Sequence, residues 1–448
     1  MLRATIAALA AFALAPVAGS AAPSLPDFGS RTVTGSLGTG GRYIVRTYSG
    51  APVTAIALWY RAPSTGFASK ARPSVARLAA QTVAASKPLI GDALGSQVRA
   101  AGGRLGISVY GDTVSVDVVV PSPAARRIAR ALTSAYFAPV VTDGGFQQAR
   151  KDVAQEALLE SFNAEAVVRD ALFGVLFEKG PHHYPALGDP KEIAGIPLAD
   201  VRSFAERAFR SQNAVIVVSG AADGTIATAF AAGRPASDTF AEPEKPSAET
   251  LSSAYQPAVQ PFDVAGGGYG WLGPGIALER EATAMDFIAD YLFHGDTGTV
   301  SQAIAAIDPT AVVFGQFVTL NDPGVLFVAY SGKDAAPLQA KVDGGLAAIK
   351  EPLASSAFAA AVDAFQYHLL SDVQTPSQLA DVFGWYTVEG NPRYAPVPGY
   401  DSGTYFAAAR SLTPEFVAEV ARKYLGKPPA TVSLKPAPKQ QPKASPPS

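Results

Sequence analysis

Histidine and cysteine are the side chains that most often bind transition metals or act as activated nucleophiles. This chain of 448 residues has four histidines and no cysteine. Disulfides, thiolate zinc sites, iron–sulfur ligation and cysteine nucleophiles are therefore excluded. His182 and His183 are adjacent, so their side chains project in different directions and chelate poorly. His294 lies near a predicted helix end, where the helix dipole favours a cation, and His368 reads as a buried, hydrogen-bonded residue.

Catalytic signatures with regular spacing are missing from the sequence. No H-x-x-E-H or H-E-x-x-H zinc motif, Gly-x-Ser-x-Gly elbow, P-loop or dinucleotide-binding fingerprint occurs. The 36 basic and 38 acidic side chains leave a net charge of −2, so there is no global basic excess for nucleic acid. Hydrophobic residues make up 48% of the chain, which is enough for sizeable cores and excludes a wholly disordered protein.

The N-terminus has the pattern of a secretory signal peptide. Arg3 provides a positive charge, residues 4–18 are apolar, and small residues follow at 19–22. We predict a signal peptide over residues 1–21. A membrane anchor is the alternative, but the apolar run is short for a span of about 20 residues. The mature chain is predicted to have no membrane span and to be periplasmic or secreted.

A segment rich in Pro, Ser, Ala and Glu divides the mature chain into two halves. Its composition predicts a linker over residues 236–260. This places an N-terminal domain at 30–235 and a C-terminal domain at 261–430. Residues 431–448 are predicted to contain a last strand and a disordered tail rich in proline and lysine.

Both halves show the same order of predicted elements, with a strand hairpin followed by helices. The helices expected to open at Phe146 and Phe358 are separated by a domain-sized offset (358 − 146 = 212), which indicates an internal duplication. The predicted fold class is α+β, with two homologous sandwich-like domains forming a clamshell. Each domain has an antiparallel-dominated sheet covered on one face by helices. The predicted strands are 42–47, 53–60, 104–110, 113–120, 214–219, 311–320, 325–331 and 431–434. The predicted helices are 74–85, 123–137, 146–163, 198–209, 337–349, 358–370 and 413–424.

Several fragments in a fixed order resemble the pitrilysin/insulinase metallopeptidases, in particular the shorter type related to mitochondrial processing peptidase. They are GRYIV at 41–45, AGG at 101–103, YPALG at 184–188, QN with VIVVSG at 212–220, and LTPEFV with ARKYL at 412–425. The resemblance spans most of residues 40–435. It implies a zinc site built from an inverted H-x-x-E-H motif on the first helix, with a glutamate about 75 residues further on as third ligand.

The positions of that motif are degenerate in this chain. Arg77 stands in place of the first histidine, Ala80 in place of the general-base glutamate, and Gln81 in place of the second histidine. Only Glu156 matches, as the distal glutamate (156 − 81 = 75). A guanidinium has no free lone pair for a metal, so the sequence predicts no catalytic residues and no metal at this place, although zinc is expected for the family. An Arg77–Glu156 salt bridge is the hypothesis for what replaces it.

The resemblance also implies an arginine and a tyrosine in the second half that help to bind the substrate carbonyl. Residues 297–313, where they are expected, contain neither. The chain is therefore predicted to be non-catalytic by itself. Family members hold substrates in extended form against a strand edge, and the corresponding strand here is predicted at Gly103, Arg104, Leu105, Gly106, Ile107 and Ser108.

Three functions are compatible with this sequence. The first is the non-catalytic subunit of a two-chain periplasmic zinc peptidase, whose partner would be a zinc-motif-bearing chain of the same family. The second is a standalone peptide- or protein-binding scaffold of the envelope, as a monomer or homodimer. The third, an active zinc endopeptidase, needs ligands outside the degenerate motif.

Overall fold

The computed structural model describes residues 31–48, 50–68, 70–88, 91–231, 254–255, 264–397 and 404–436. The predicted signal peptide and the tail from residue 437 lie outside the described residues. So does the predicted linker, except for two of its residues, Ala254–Tyr255, which form a strand. In the described ranges, no helix is long and apolar enough to cross a membrane.

The first half forms one six-stranded sheet together with a set of helices. The strands are β1 (Arg31–Ser36), β2 (Arg42–Thr47), β3 (Val53–Arg61), β4 (Arg104–Val109), β5 (Thr113–Pro121) and β6 (Ala214–Gly220). The helices are α1 (Val75–Ala85), α2 (Leu94–Ala100), α3 (Ala125–Tyr136), α4 (Asp143–Glu160), α5 (Ala164–Leu176), α6 (Pro190–Ala194) and α7 (Leu198–Ala208).

The second half has a five-stranded sheet and its own set of helices. The strands are β7 (Ala254–Tyr255), β8 (Ala265–Gly273), β9 (Val312–Val318), β10 (Gly324–Gly332) and β11 (Ala430–Leu434). The helices are α8 (Glu279–Phe293), α9 (Thr299–Ala305), α10 (Ala335–Ala348), α11 (Ser355–Ser371), α12 (Pro376–Val388), α13 (Thr404–Arg410) and α14 (Pro414–Leu425).

The strand order places one hairpin strand of each half at a sheet edge. The first sheet has the order β1-β2-β6-β3-β5-β4, and the second has the order β7-β11-β8-β10-β9. All pairs are antiparallel except β2 with β6 and β7 with β11. The predicted antiparallel-dominated α+β fold is confirmed. The hairpin strands β4 and β9 lie at equivalent edges of the two sheets.

Three pairs of equivalent elements are separated by the same offset along the chain. The starts of β3 and β8 differ by the same offset (265 − 53 = 212) as the starts of α4 and α11 (355 − 143 = 212) and of α5 and α12 (376 − 164 = 212). The helix α4 begins at Asp143 rather than at the predicted Phe146, because the Thr142 hydroxyl accepts a hydrogen bond from the Gly145 amide and caps the helix there. The predicted N-cap at Thr413 is confirmed by its bond from the Phe416 amide.

Both faces of each sheet are covered, so the expectation of one covered face is wrong. One face of each sheet packs on helices of its own half. The other face is covered chiefly by one helix from the opposite half: α12 packs on β3 and β6, and α5 packs on β8, β10 and β11. This reciprocal exchange joins the two halves, because neither sheet can bury its second face without the other half.

Candidate functional site

The helix that corresponds to the family's metal-binding helix is α1, and it is almost wholly buried. Ser74 precedes it with a φ of 71°, and its hydroxyl donates to the Leu187 carbonyl. That tie to the loop after α5 holds a left-handed conformation that non-glycine residues rarely adopt. Ala80 is fully buried, Gln81 is half-buried, and the Tyr136 hydroxyl donates to the Ala80 carbonyl at 2.8 Å.

Arg77 and Glu156 form the ion pair that the sequence hypothesis requires. Arg77 Nε donates to Glu156 Oε2 at 2.8 Å, and Nη2 lies 2.6 Å from both carboxylate oxygens. The remaining Nη1 donates to the carbonyl of Ile107 on β4. The Arg77 side chain is only 11% exposed, whereas that of Glu156 is 40% exposed. One guanidinium therefore ties α1 to α4 and to the sheet edge with charge-assisted hydrogen bonds.

The residues at this place do not fit a zinc ion. A catalytic zinc site needs three protein ligands and one open position, but Glu156 is the only side chain of the four that ligates well. Its carboxylate is already engaged by a guanidinium, which supplies the positive charge that a metal would otherwise bring. No chemical step through zinc can be assigned to these residues.

The outer edge of β4 offers main-chain groups beside this ion pair. The Tyr110 amide donates to the Thr113 carbonyl at the hairpin end, so the hydrogen-bonded pairs alternate back from there along the two strands. Ile107 faces Val116 in a pair without mutual hydrogen bonds, and its N–H and C=O therefore point away from β5. Leu105 and Val109 have the same orientation. In the described ranges no strand pairs with this side of β4.

A cavity of about 400 Å³ lies between this edge and the second half of the chain. Ile107 and Tyr110 line it from the first half, and Gln316 and Phe327 line it from the second. Phe173 of α5 also reaches it, and its ring lies 6.2 Å from that of Phe327. A clamshell fold predicts a cavity at this place, because residues from both halves are needed to line it.

The wall formed by α4 and α5 carries a charged cluster. Arg169 donates to Asp170 from Nε at 3.0 Å and to Glu160 from Nη2 at 3.3 Å. Burial raises the pKa of Asp170, and the Arg169 charge opposes that shift. Burial also raises the pKa of Tyr110 to about 12, with Asp381 acting in the same direction. Arg77 and Glu156 line the cavity as well, so it presents two guanidinium groups, three carboxyl groups and the neutral Tyr110 phenol to a bound chain.

Beneath the cavity, buried polar and aromatic groups join the two halves. Glu389, at the end of α12, accepts from the Asn321 amide at 2.7 Å and is 1% exposed. Trp385 donates from Nε1 to the Thr319 carbonyl at 3.0 Å, and its ring meets that of Tyr110 at 4.8 Å. The first two bonds lie within the second half; the Trp385–Tyr110 ring contact and the approach of Glu389 to the Thr113 hydroxyl, at 3.5 Å, join it to the first half.

The predicted histidine roles agree with the local geometry but miss one proximity. His182 is 6% exposed among Phe173 and Phe177, and the His183 Nδ1 lies 2.7 Å from the Phe177 carbonyl oxygen. His294 caps α8, and His368 is paired with Asp290. The sequence treated these last two separately, whereas the structure stacks their rings.

The sequence also missed every cavity residue supplied by α5. The signal that could have found this helix is its N-cap: the Asn163 side chain accepts from the amides of Glu165 and Ala166. An Asn followed by an acidic first turn is typical of a helix start.

Solved structures with the same architecture were found by comparison of the fold. A protease from Helicobacter pylori matches with a TM-score of 0.79 at 16% identity, covering 91% of this chain and 100% of that one. The inactive domain of an M16 peptidase from Pseudomonas fluorescens matches with a TM-score of 0.75 at 17% identity, over 92% and 99% of the two chains. This chain has the M16 peptidase fold. A putative M16-like peptidase from Alicyclobacillus acidocaldarius matches with a TM-score of 0.73 at 16% identity, over 93% and 100%.

M16 is the class that holds the pitrilysin/insulinase type, so the resemblance read from the sequence is confirmed at the level of the fold. Comparison of the sequence with profiles of known families and with curated proteins finds no match. At identities this low, the M16 fold is what these structures share with the chain, and the site residues must be judged from their own chemistry.

The ion pair on the M16 fold makes a first prediction. Arg77→Ala is expected to lower the free energy of unfolding by about 2 kcal/mol, because it leaves a half-buried carboxylate without its partner. A double-mutant cycle with Glu156→Gln, followed by urea unfolding, measures the coupling. The pair Arg72–Asp200, at 3.1 Å and with both side chains 37% exposed, is the matched control, because its arginine is far more accessible to water than Arg77. Arg72→Ala should cost less than about 1 kcal/mol, and equal losses from the two arginine variants would contradict the prediction.

Proposed function

We propose that this chain is a non-catalytic protein that holds extended peptides in the cavity between its halves. The observation that carries the proposal is the Arg77–Glu156 ion pair, which fills the place of a metal directly beside an unpaired strand edge. The ion pair takes the place of the metal that hydrolysis would need, but it leaves the main-chain groups at the edge of β4 able to bind a peptide. Main-chain hydrogen bonding at a strand edge needs no metal.

Lack of catalysis follows from the residue types at two positions of the degenerate motif and in one segment of the second half. Arg77 cannot ligate a metal, Ala80 cannot accept a proton, and residues 297–313 offer no arginine or tyrosine to polarise a carbonyl. The purified chain should not cleave unfolded protein substrates, with or without added Zn²⁺. If the chain did cleave a substrate and Glu156→Gln kept that activity, the third function, a peptidase with other ligands, would be supported. If Glu156→Gln abolished the activity, the site at Arg77 and Glu156 would be an active site after all.

Peptide binding is supported by the direction of the edge groups. The N–H and C=O of Leu105, Ile107 and Val109 point away from β5, which is the arrangement that an added strand pairs with. The Ile107 carbonyl already accepts from Arg77, but a carbonyl oxygen has a second lone pair and the Ile107 amide remains available.

Ile107→Pro is the second prediction, and it is expected to weaken peptide binding about tenfold. The substitution removes an outward N–H while leaving the β4–β5 hydrogen bonds in place, and proline is tolerated on sheet edges. Fluorescence anisotropy with labelled, unfolded peptides measures the affinity. Ile107→Val is the matched control, because it keeps the amide and nearly all of the side chain. Equal affinity of both variants, with unchanged circular dichroism, would exclude β4 as the binding edge.

The assembly that we propose is a two-chain zinc peptidase of the periplasm, in which this chain is the non-catalytic subunit. An inactive M16 domain among the structural neighbours gives a precedent for a chain without catalysis on this fold. The partner would carry an intact H-x-x-E-H motif.

Native mass spectrometry of the protein isolated from its own periplasm tests this assembly. A complex with such a chain supports the proposal that this chain is a subunit. A monomer or homodimer favours the alternative, a standalone scaffold that binds peptides or proteins of the envelope.

A further inference from the structure

A second cluster of metal-binding side chains lies in the C-terminal half, away from the cavity. Asp290 and His294 come from the end of α8, and His368 comes from α11. The His368 Nδ1 lies 2.9 Å from Asp290 Oδ1, and the His294 Nδ1 lies 3.1 Å from the same oxygen. The two imidazole rings are parallel within 4° at a centroid distance of 3.6 Å. Two histidines and one carboxylate therefore converge on one point.

The duplication relates one member of the cluster to the ion pair of the first half. The helices α4 and α11 are equivalent elements, and His368 occupies the position in α11 that Glu156 occupies in α4 (368 − 156 = 212). In the first half Arg77 of α1 meets Glu156 of α4; in the second, Asp290 of α8 meets His368 of α11. His368 is thus the counterpart of Glu156, whereas Asp290 lies in the last turn of α8 and Arg77 in the first turn of α1.

The distances suit a single ion. One ligand atom from each of the three residues lies within 4.8 Å of the other two. At a metal–ligand distance of about 2.1 Å, neighbouring ligand atoms of one ion lie roughly 3.0 to 3.4 Å apart. The separations between Asp290 Oδ1 and the two Nδ1 atoms are already 3.1 Å or less, so only small side-chain rotations are needed to place an ion among them.

The surroundings favour a cation and leave it accessible. Asp372, which is exposed, acts electrostatically on both imidazoles. The side chain of His294 is 38% exposed, whereas those of Asp290 and His368 are 14% and 13% exposed. Two ligands are thus held rigidly by the packing of two helices, and the third is at the surface, where an ion can enter.

We propose that Asp290, His294 and His368 bind one first-row divalent transition ion. Two imidazoles and a carboxylate are the ligand set that suits Zn²⁺ and its neighbours rather than Mg²⁺ or Ca²⁺, which prefer oxygen ligands. Three protein ligands leave room for water. The site would link α8 to α11 in the half of the chain that does not contain the degenerate motif, and it is independent of peptide binding.

The test is a Zn²⁺ titration of the full, tag-free chain after treatment with a chelator, using a coloured chelator as competitor. The wild-type protein is expected to bind one equivalent. His294→Ala and Asp290→Asn should each weaken the affinity at least about tenfold, and Co²⁺ should give a visible absorption band that both variants lose. His294→Ala is expected to leave folding unchanged because its side chain is the most exposed of the three; circular dichroism checks this.

His183→Ala is the matched control, because it removes a half-buried histidine from the other half of the chain. Its affinity for Zn²⁺ should equal that of the wild type. Absence of stoichiometric binding, or one equivalent bound equally well by His294→Ala and Asp290→Asn, would overturn the proposal. Neither result would affect the peptide-binding proposal, whose variants lie at β4.

Discussion

Gly384→Ala is expected to lower the free energy of unfolding by about 3 kcal/mol, although alanine favours helices over glycine. Gly384 lies in α12, the helix of the second half that covers the first sheet. A Cβ at this position would come within 1.9 Å of Nε1 of Trp59. Trp59 is 1% exposed and packs in parallel with Tyr110, so it cannot move aside. The substitution would push the two halves apart along the floor of the cavity.

Gly344 provides the matched control for this substitution. It lies in α10 with nothing within 4 Å of an added Cβ, so Gly344→Ala should raise the free energy of unfolding by up to about 1 kcal/mol through helix propensity. Urea unfolding followed by tryptophan fluorescence measures both variants. If Gly384→Ala were as stable as the wild type, the close packing of α12 on Trp59 could not be what joins the halves.

The free energy of unfolding is expected to fall between pH 5 and pH 8, and Glu389 contributes on the order of 3 kcal/mol to that fall. Asp286, whose pKa burial raises to about 7, acts in the same direction. Burial, helped by the nearby charge of Asp112 and opposed by Arg61, raises the pKa of Glu389 from 4.5 to about 8. The folded chain therefore holds a proton that the unfolded chain releases above pH 4.5. Because the folded state binds more protons in this interval, raising the pH destabilises it until the pH passes the folded pKa.

Glu389→Gln tests the source of this dependence. The amide has nearly the same shape and stays neutral, so the fall in stability between pH 5 and pH 8 should be smaller in the variant than in the wild type by on the order of 3 kcal/mol. Glu419→Gln changes the net charge equally on the exposed face of α14 and should keep the wild-type slope. Denaturant unfolding at several pH values measures the three proteins. A Glu389→Gln protein with the wild-type slope would assign the dependence to other groups.

This pH dependence bears on the cavity because Glu389 belongs to the interface between the halves. Its carboxylate accepts from the Asn321 amide of the second half and lies 3.5 Å from the Thr113 hydroxyl of the first. Loss of its proton places a negative charge beside Asp112 in a region with little water. The contact of Glu389 with the first half is thus weakest in mild base. Peptide affinity should therefore be measured at more than one pH.

Several features of this protein follow from patterns in its sequence. Local patterns identified β2, β3, β5 and β6 almost to the residue, since alternating or continuous apolar runs report burial directly. The repeated order of elements and the offset of 212 residues between Phe146 and Phe358 predicted the duplication. The degenerate motif predicted both the loss of the zinc ligands and the pairing of Arg77 with Glu156, because equivalent positions of one fold lie close together whatever residues occupy them.

The way in which the two halves are joined depends on long-range packing that the sequence patterns did not predict. The helices α5 and α12 escaped prediction because helices buried by another domain lack the one-sided apolar stripe on which sequence patterns depend. The strand β8 escaped because its glycines read as a loop, although Gly268 is there to let Val168 of α5 approach the strand. The meeting of Asp290, His294 and His368 was equally hidden, since the two helices that bring them together are far apart in the chain. Contacts of this kind depend on which surfaces pack together, and no local pattern encodes that.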